Sequence, residues 1–130
     1  QGFVSGNLDK DGEGLRYFLA QGFEMCIAQS FAKIMGLYGT RTGALHFVCQ
    51  DKGEAARVLS QLKIIIRNNY SSPPNHGARI AGMILNDTAM RNQWLDELVA
   101  VTKRMNEMRA LLRKNLEDIG AKGSWSHITT

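Results

Sequence analysis

The sequence predicts an α/β fold, on three observations. Two short runs, FEMCIAQS (Phe23–Ser30) and GALHFVCQ (Gly43–Gln50), are mostly apolar without clean alternation, as strands covered on both faces are. Most of the remaining chain carries apolar residues at three- and four-residue spacing, the helical period. Strands separated by helices then imply a sheet flanked by helices on both sides.

The elements follow in order. Gly6 to Gly22 reads as a loop leading into a helix, capped by Asn7 or Asp9 and ended by Gly22. Leu15, Phe18 and Leu19 supply its apolar face, while Gly12 and Gly14 weaken its first turns. After the two strands, DKGEAARVLSQLKIIIRNN (Asp51–Asn69) is a helix with Ala55, Val58, Leu59, Leu62, Ile65 and Ile66 on one stripe. Pro73 and Pro74 stop it, and Ser72 before Pro73 must be extended. A shorter helix follows from about Gly77 to Leu85. From Thr88 to Ile119 the apolar positions Met90, Trp94, Leu98, Val101, Met105, Met108, Leu112, Leu116 and Ile119 step by three or four throughout. That spacing predicts one helix of roughly 48 Å, long enough to bridge domains or bundle. Asn86, Asp87 or Thr88 caps its start and Gly120 ends it, with Asp96, Glu97, Arg113 and Lys114 placed to suit its dipole. The alternating β-branched end, SWSHITT, reads as the start of a strand with nothing to pair with. Together with an opening at Gln1-Gly2-Phe3 and no initiator Met, this leads us to expect a segment of a longer protein.

Composition narrows the function. The 130 residues carry a formal charge of +4, but the basic residues form no run longer than a pair such as Lys103-Arg104 or Arg113-Lys114. Nucleic-acid binding normally needs them clustered on one face, so no nucleic-acid partner is expected. No apolar stretch approaches the ~20 residues that span a bilayer. Cys26 and Cys49 sit within apolar runs, as free buried thiols do, and no Cys/His cluster offers a metal site. His46 reads as a core residue, His76 as a loop residue and His127 as a strand polar residue. Trp94 and Trp125 read as core or interdomain packing.

One stretch stands apart. QSFAKIMGLYGTRTGA (Gln29–Ala44) places Lys33 and Arg41 eight residues apart among small and apolar neighbours, with no acid between Glu24 and Asp51. Two such cations are solvated, paired at long range, or directed at an anion that is not protein. A lysine held in a partly desolvated pocket has a depressed pKa, and its neutral amine attacks carbonyls. Arg41 offers a planar fork suited to phosphate, Ser30 adds a hydroxyl, and Gly36, Gly39 and Gly43 permit tight turns and close backbone approach. An aldehyde bearing a phosphate would use all of them.

The run SFAKIMGLYGTRTG closely resembles the lysine-attachment signature of class I aminotransferases, the pyridoxal 5′-phosphate (PLP) enzymes of the aspartate aminotransferase type, fold type I. Ser30, Lys33, Gly36, Arg41 and Gly43 occupy the signature's places; Thr42 departs, standing where the family usually has an aliphatic residue. The stretches QGFVSGNLDKDGEGLRYFLAQGFE, LKIIIRNNYSSPPNHGARIAGMIL and NQWLDELVAVTKRMNEMRALLRKNLEDIGAKGSWSHIT are similar to the segments around that signature, in the family's order. The resemblance therefore spans essentially the whole chain.

It implies a good deal. Residues 1–87 would be part of a large PLP-binding domain built on a mostly parallel sheet, and residues 88–130 a long interdomain helix and the start of a small domain. Lys33 would form a Schiff base with PLP and then move the proton between substrate Cα and cofactor, while Arg41 and Ser30 hold the phosphate. Arg67 would cross a homodimer interface to bind the distal carboxylate of a dicarboxylic amino-acid or keto-acid substrate, with Ser71 completing that shared site through water. Arg79 falls outside the matched position and reads as structural, and Tyr38 would pack near the cofactor. The implied reaction is L-aspartate with 2-oxoglutarate to oxaloacetate with L-glutamate. An aromatic or broad-specificity aminotransferase is the alternative, and a cofactor-free helical binding fragment the reading from another class. The family's cofactor-bonding tyrosine and aspartate, its ring-stacking aromatic and its arginine for the substrate α-carboxylate fall outside these residues, so the segment alone is expected to be inactive. The compartment implied is the cytosol or the mitochondrion, with the cytosol preferred.

Overall fold

A computed structural model describes residues 3–129. They form six elements of ordinary length and two short ones: α1 (Leu8–Asp11), α2 (Glu13–Ala20), β1 (Met25–Ser30), β2 (Gly43–Val48), α3 (Lys52–Asn69), α4 (His76–Asn86), α5 (Thr88–Asp118) and a final 3-10 turn (Ser126–Ile128). The mixed helix and strand content agrees with the expected α/β class. The pairing within this chain, however, is antiparallel: β1 and β2 form a two-stranded ladder running from Met25 opposite Val48 to Ser30 opposite Gly43. The strands are joined by a loop over residues 31–42, not by a helix, because that stretch breaks into tight turns around Gly36, whose φ is +63°.

The described residues divide into two compact units. One is Glu13–Arg91; the other joins the stretch up to Gly12 to the residues from Asn92 onward.

In the first unit, α2 ends at Gly22, which has φ +77°. Helix α3 starts on a reciprocal cap: the Asp51 carboxylate accepts from the Glu54 N–H at 2.8 Å, and the Glu54 carboxylate accepts from the Gln50 N–H at 2.8 Å. It ends with Ser71 at φ +58°, whose N–H donates to the Ile66 carbonyl at 2.9 Å. The buried apolar residues of this unit are Ala32, Ile34 and Leu37 from the loop and Ala81 from α4, where Gly77 is buried too. The expected α3 stripe is present but uncovered: Val58 and Leu62 are half-buried, while Leu59 and Ile65 are more than half exposed.

In the second unit, the N-terminal loop closes on α1. The Asp11 carboxylate accepts from the N–H groups of Val4 and Ser5, each at 3.1 Å, and from the Ser5 hydroxyl at 2.7 Å. Asn7 caps α1 by accepting from the N–H groups of Asp9 and Lys10. The long helix, whose first residues through Arg91 belong to the other unit, is as expected: Asp87 caps it by accepting from the Met90 N–H at 2.8 Å, and Gly120 ends it at φ +65°. At 31 residues it is roughly 46 Å long. Its buried positions are Leu98 and Thr102, while Val101 on the apolar stripe is exposed; the Thr102 hydroxyl donates to the Leu98 carbonyl one turn back at 2.9 Å, which lets a polar residue be buried. Arg113 and Lys114 lie short of the last turn and pair instead with Glu117 and Asp118, four residues on.

Three further expectations are corrected. The SWSHI stretch is a 3-10 turn instead of a strand, with Trp125 Nε1 donating back to the Ala121 carbonyl at 3.2 Å. His46 is exposed on β2, opposite Ile27, and Cys26 is exposed as well. Both follow from a two-stranded ladder with nothing among the described residues laid over those positions.

The Asp11 contacts generate a prediction. Its carboxyl is held below the ordinary carboxylate range, first by the Ser5 hydroxyl and then by the two backbone N–H donors. A depressed native pKa means the contribution is present above the usual carboxylate pKa and lost as pH falls through the lowered one. Asp11→Asn should therefore speed hydrogen exchange at the Val4 and Ser5 amides near neutral pH, with variant and wild type converging in acid. Equal exchange at neutral pH would contradict this reading of the loop.

Candidate active site

The ladder register explains why Ser30 and Arg41 meet. Ser30 is the last residue of β1 and lies opposite Gly43, the first of β2. The Phe31 N–H donates to the Thr42 carbonyl at 3.1 Å, carrying the pairing one step further. Arg41, two residues before Gly43, is thereby returned to the end of β1. Gly43 makes this possible: a Cβ there would stand 2.5 Å from the Gln29 carbonyl oxygen, too close for any side chain. The other two glycines of the run differ. Gly36 needs its left-handed backbone, whereas Gly39 has neither positive φ nor a close neighbour.

Ser30 and Arg41 line one open cavity of about 240 Å³, together with Ala28, Gln29, Ala32, Thr42 and Gly43. No carboxylate is among these lining residues. The Ser30 hydroxyl oxygen accepts from the Ala32 N–H at 3.2 Å, which leaves its own proton free to be donated. Arg41 takes a left-handed backbone, φ +50°, at a cost on the order of 1 kcal/mol for a residue with a Cβ. One of its guanidinium N–H groups donates to the Tyr38 carbonyl at 3.2 Å, and the others remain for a ligand. A cavity with a hydroxyl donor and a guanidinium, and with no acid in its lining, has the donor set for a phosphate monoester.

Lys33 lies on the loop between these two residues and is exposed, outside the lining of that cavity. The expected desolvated pocket is not formed by this chain. The apolar neighbours that suggested it, Ala32, Ile34 and Leu37, are the unit's own core, and the turn places Lys33 on its outer side. Its ammonium sits 4.7 Å from the centre of the exposed Tyr38 ring, a cation–π contact. Tyr38 thus touches both cations, one through its ring and one through its carbonyl.

Arg67 and Ser71 do not line this cavity. Arg67 is exposed in the last turn of α3, with no ion-pair partner among the described residues. Ser71 closes that helix in the left-handed conformation already noted. Arg79 is exposed on α4. Burial pushes the Cys49 thiol up, assisted by the carboxylates of Glu54, Glu24 and Asp51, so it stays protonated and is a poor nucleophile. Among the described residues no group of His, Cys, Asp and Glu could hold a metal ion, and no helix is long and apolar enough to cross a membrane. The close packing of Gly77 against Thr40 and Thr42 was not anticipated from the sequence.

Comparison with known proteins identifies the family. The family described as "Aminotransferase class I and II" matches residues 1–130. The chain is 49% identical over 129 residues to the mitochondrial aspartate aminotransferase of Gallus gallus, covering 99% of this chain and 30% of that protein. It is 52% identical over 128 residues to the chloroplastic aspartate aminotransferase 3 of Arabidopsis thaliana, covering 98% of this chain and 28% of that protein. Among solved structures, aspartate aminotransferase from Trypanosoma cruzi superposes with a TM-score of 0.91 at 43% identity, over 99% of this chain and 33% of that one. The aromatic-amino-acid aminotransferase from Burkholderia pseudomallei, covalently bound to pyridoxal phosphate, superposes with a TM-score of 0.94 at 40% identity, over 99% of this chain and 32% of that one. The chain thus spans roughly a third or less of the relatives it matches, and it belongs to the class I and II aminotransferase family.

Proposed function

We propose that the protein carrying this chain is a PLP-dependent aspartate aminotransferase, exchanging amino and keto groups between L-aspartate with 2-oxoglutarate and oxaloacetate with L-glutamate. The observation that carries the proposal is the pairing of Ser30 and Arg41 in one cavity, at the two ends of a loop that bears Lys33. The Gallus gallus and Arabidopsis thaliana relatives support the substrate choice, since both are aspartate aminotransferases at about half identity.

The cavity's donor set suits the cofactor's phosphate. Arg41 offers it two parallel N–H groups and Ser30 a hydroxyl proton, each charge-assisted by the dianion. PLP, when bound, supplies the electron sink that stabilises negative charge at the substrate Cα. Lys33 would hold the cofactor through its primary amine, and its Nζ is the group that would accept the proton from the substrate Cα. Tyr38 beneath that ammonium restricts where the amine can travel. Parts of the catalytic apparatus beyond these residues would come from the remaining two-thirds of the enzyme.

Arg67 is the residue to which we assign dicarboxylate selectivity. It ends the apolar run Ile64-Ile65-Ile66, is exposed, and has no ion-pair partner among the described residues. In a homodimer with shared sites it would reach the neighbouring subunit and meet the substrate's distal carboxylate as a bidentate fork. Ser71, fixed in a left-handed turn just beyond it, would complete the same site through water.

This makes a specificity prediction that separates the aspartate reading from the aromatic one. In the full-length enzyme, Arg67→Ala should lower kcat/KM for aspartate about a hundredfold or more, since it strands a carboxylate in a partly dry site. Turnover of phenylalanine should change little. Equal losses on both substrates would refute the role given to Arg67, and a wild type faster on phenylalanine than on aspartate would favour the aromatic alternative.

A further inference from the structure

We infer that Gly77 is a positioning residue for the phosphate-holding arginine: by lacking a side chain, it lets the start of α4 back directly onto the Arg41 turn. This rests on the reading of Arg41 as the phosphate ligand.

Gly77 is buried in the first turn of α4. A Cβ built on it would overlap the Thr42 hydroxyl outright and stand 2.8 Å from Thr40 Oγ1 and 2.9 Å from Thr42 Cβ. These two threonines bracket Arg41. The Thr42 hydroxyl donates to Thr40 Oγ1 at 3.1 Å, and the Thr40 hydroxyl donates to the Leu37 carbonyl at 3.1 Å. Leu37 is itself buried. A short chain of hydrogen bonds thus runs from the Gly77 contact to the core and spans the turn that forces Arg41 to φ +50°.

Rotating Thr42 about χ1 would not make room for a methyl group at position 77. It would move the hydroxyl, but it would leave Thr42 Cβ in place and break the link to Thr40. The backbone of the turn must therefore shift, and Arg41 shifts with it. A displacement of about 1 Å in a binding group is enough to cost one to two orders of magnitude in a well-oriented site. Gly77 is not needed for its own backbone, since its φ is not in the left-handed region. What position 77 requires is the absence of a side chain. Thr42, the one residue departing from the signature, is the other half of the contact.

The test compares PLP with pyridoxal, which lacks the phosphate, as ligands of the full-length apoenzyme. The readout is the dissociation constant of pyridoxal divided by that of PLP, which reports the phosphate contribution and is insensitive to a general loss of folding or of the ring site. Arg41→Ala is the control and should lower the ratio. Gly77→Ala should lower it at least about tenfold while leaving pyridoxal affinity nearly unchanged. If Arg41→Ala lowers the ratio and a folded Gly77→Ala does not, the inference is overturned and the phosphate reading stands. If Arg41→Ala itself leaves the ratio unchanged, the phosphate reading falls and the inference with it. Should Gly77→Ala not fold, Thr42→Ala decides: removing the hydroxyl link should lower the ratio about threefold, and no change would overturn the inference.

Discussion

The candidate site depends on one pairing, Ser30 opposite Gly43 at the end of an antiparallel ladder. Because side chains alternate across a strand, a slip of one residue would turn Ser30 away and carry the Arg41 turn out of reach. Two features hold the register. The Gln29 carbonyl lies so close to Gly43 that only glycine fits, and the Phe31 N–H bonds the Thr42 carbonyl beyond the strand ends. Lys33 is then carried on a loop whose apolar residues face inward as the unit's core. The same turn geometry that buries Ala32 and Ile34 leaves the lysine between them outside.

The second constraint is how little this chain buries by itself. Large apolar residues remain exposed along α3 at Leu59, Ile64 and Ile65, on α2 and after it at Phe18, Leu19 and Phe23, and along α5 and just after it at Met90, Val101, Met108, Leu112 and Ile119. Covering one such side chain fully is worth about 1.5–3 kcal/mol. Exposed stripes of this regularity are surfaces meant for partners. The relatives are roughly three times as long, so in our proposal the remainder of the enzyme and a second subunit are the natural cover. The exposure of Lys33 has the same origin. The atoms that would surround its amine are not in this segment, whereas the Ser30 and Arg41 cavity is assembled almost wholly from local backbone.

This division also decides what could be read from the sequence. Caps and stops were legible because they are local chemistry: Asn7, Asp87, Gly22 and Gly120 do what their residue types favour. So were the long helix, the pairing of a hydroxyl with an arginine across Ser30 and Arg41, and the need for Gly43. Strand direction was not, because mostly apolar strands look alike whether parallel or antiparallel, and the turn-permitting glycines of residues 31–42 do not say in which direction the second strand returns. The strand expected at SWSHI failed because alternation over so few residues is outweighed by the Trp125 bond back to Ala121. The burial of Thr102 was not legible, because an apolar count cannot see a hydroxyl satisfied by its own helix. Gly77 was hidden for a related reason: its partners Thr40 and Thr42 lie more than thirty residues earlier, and only the fold brings them together.

The central claim is that the amine of Lys33 is the point at which the cofactor is bonded. Borohydride reduction of the PLP-loaded full-length enzyme, followed by peptide mapping, tests it most directly. The account predicts a single stable pyridoxyl label on the peptide containing Lys33, absent from Lys33→Ala. A label on another lysine, or a protein that binds PLP yet yields no reducible bond, would contradict it.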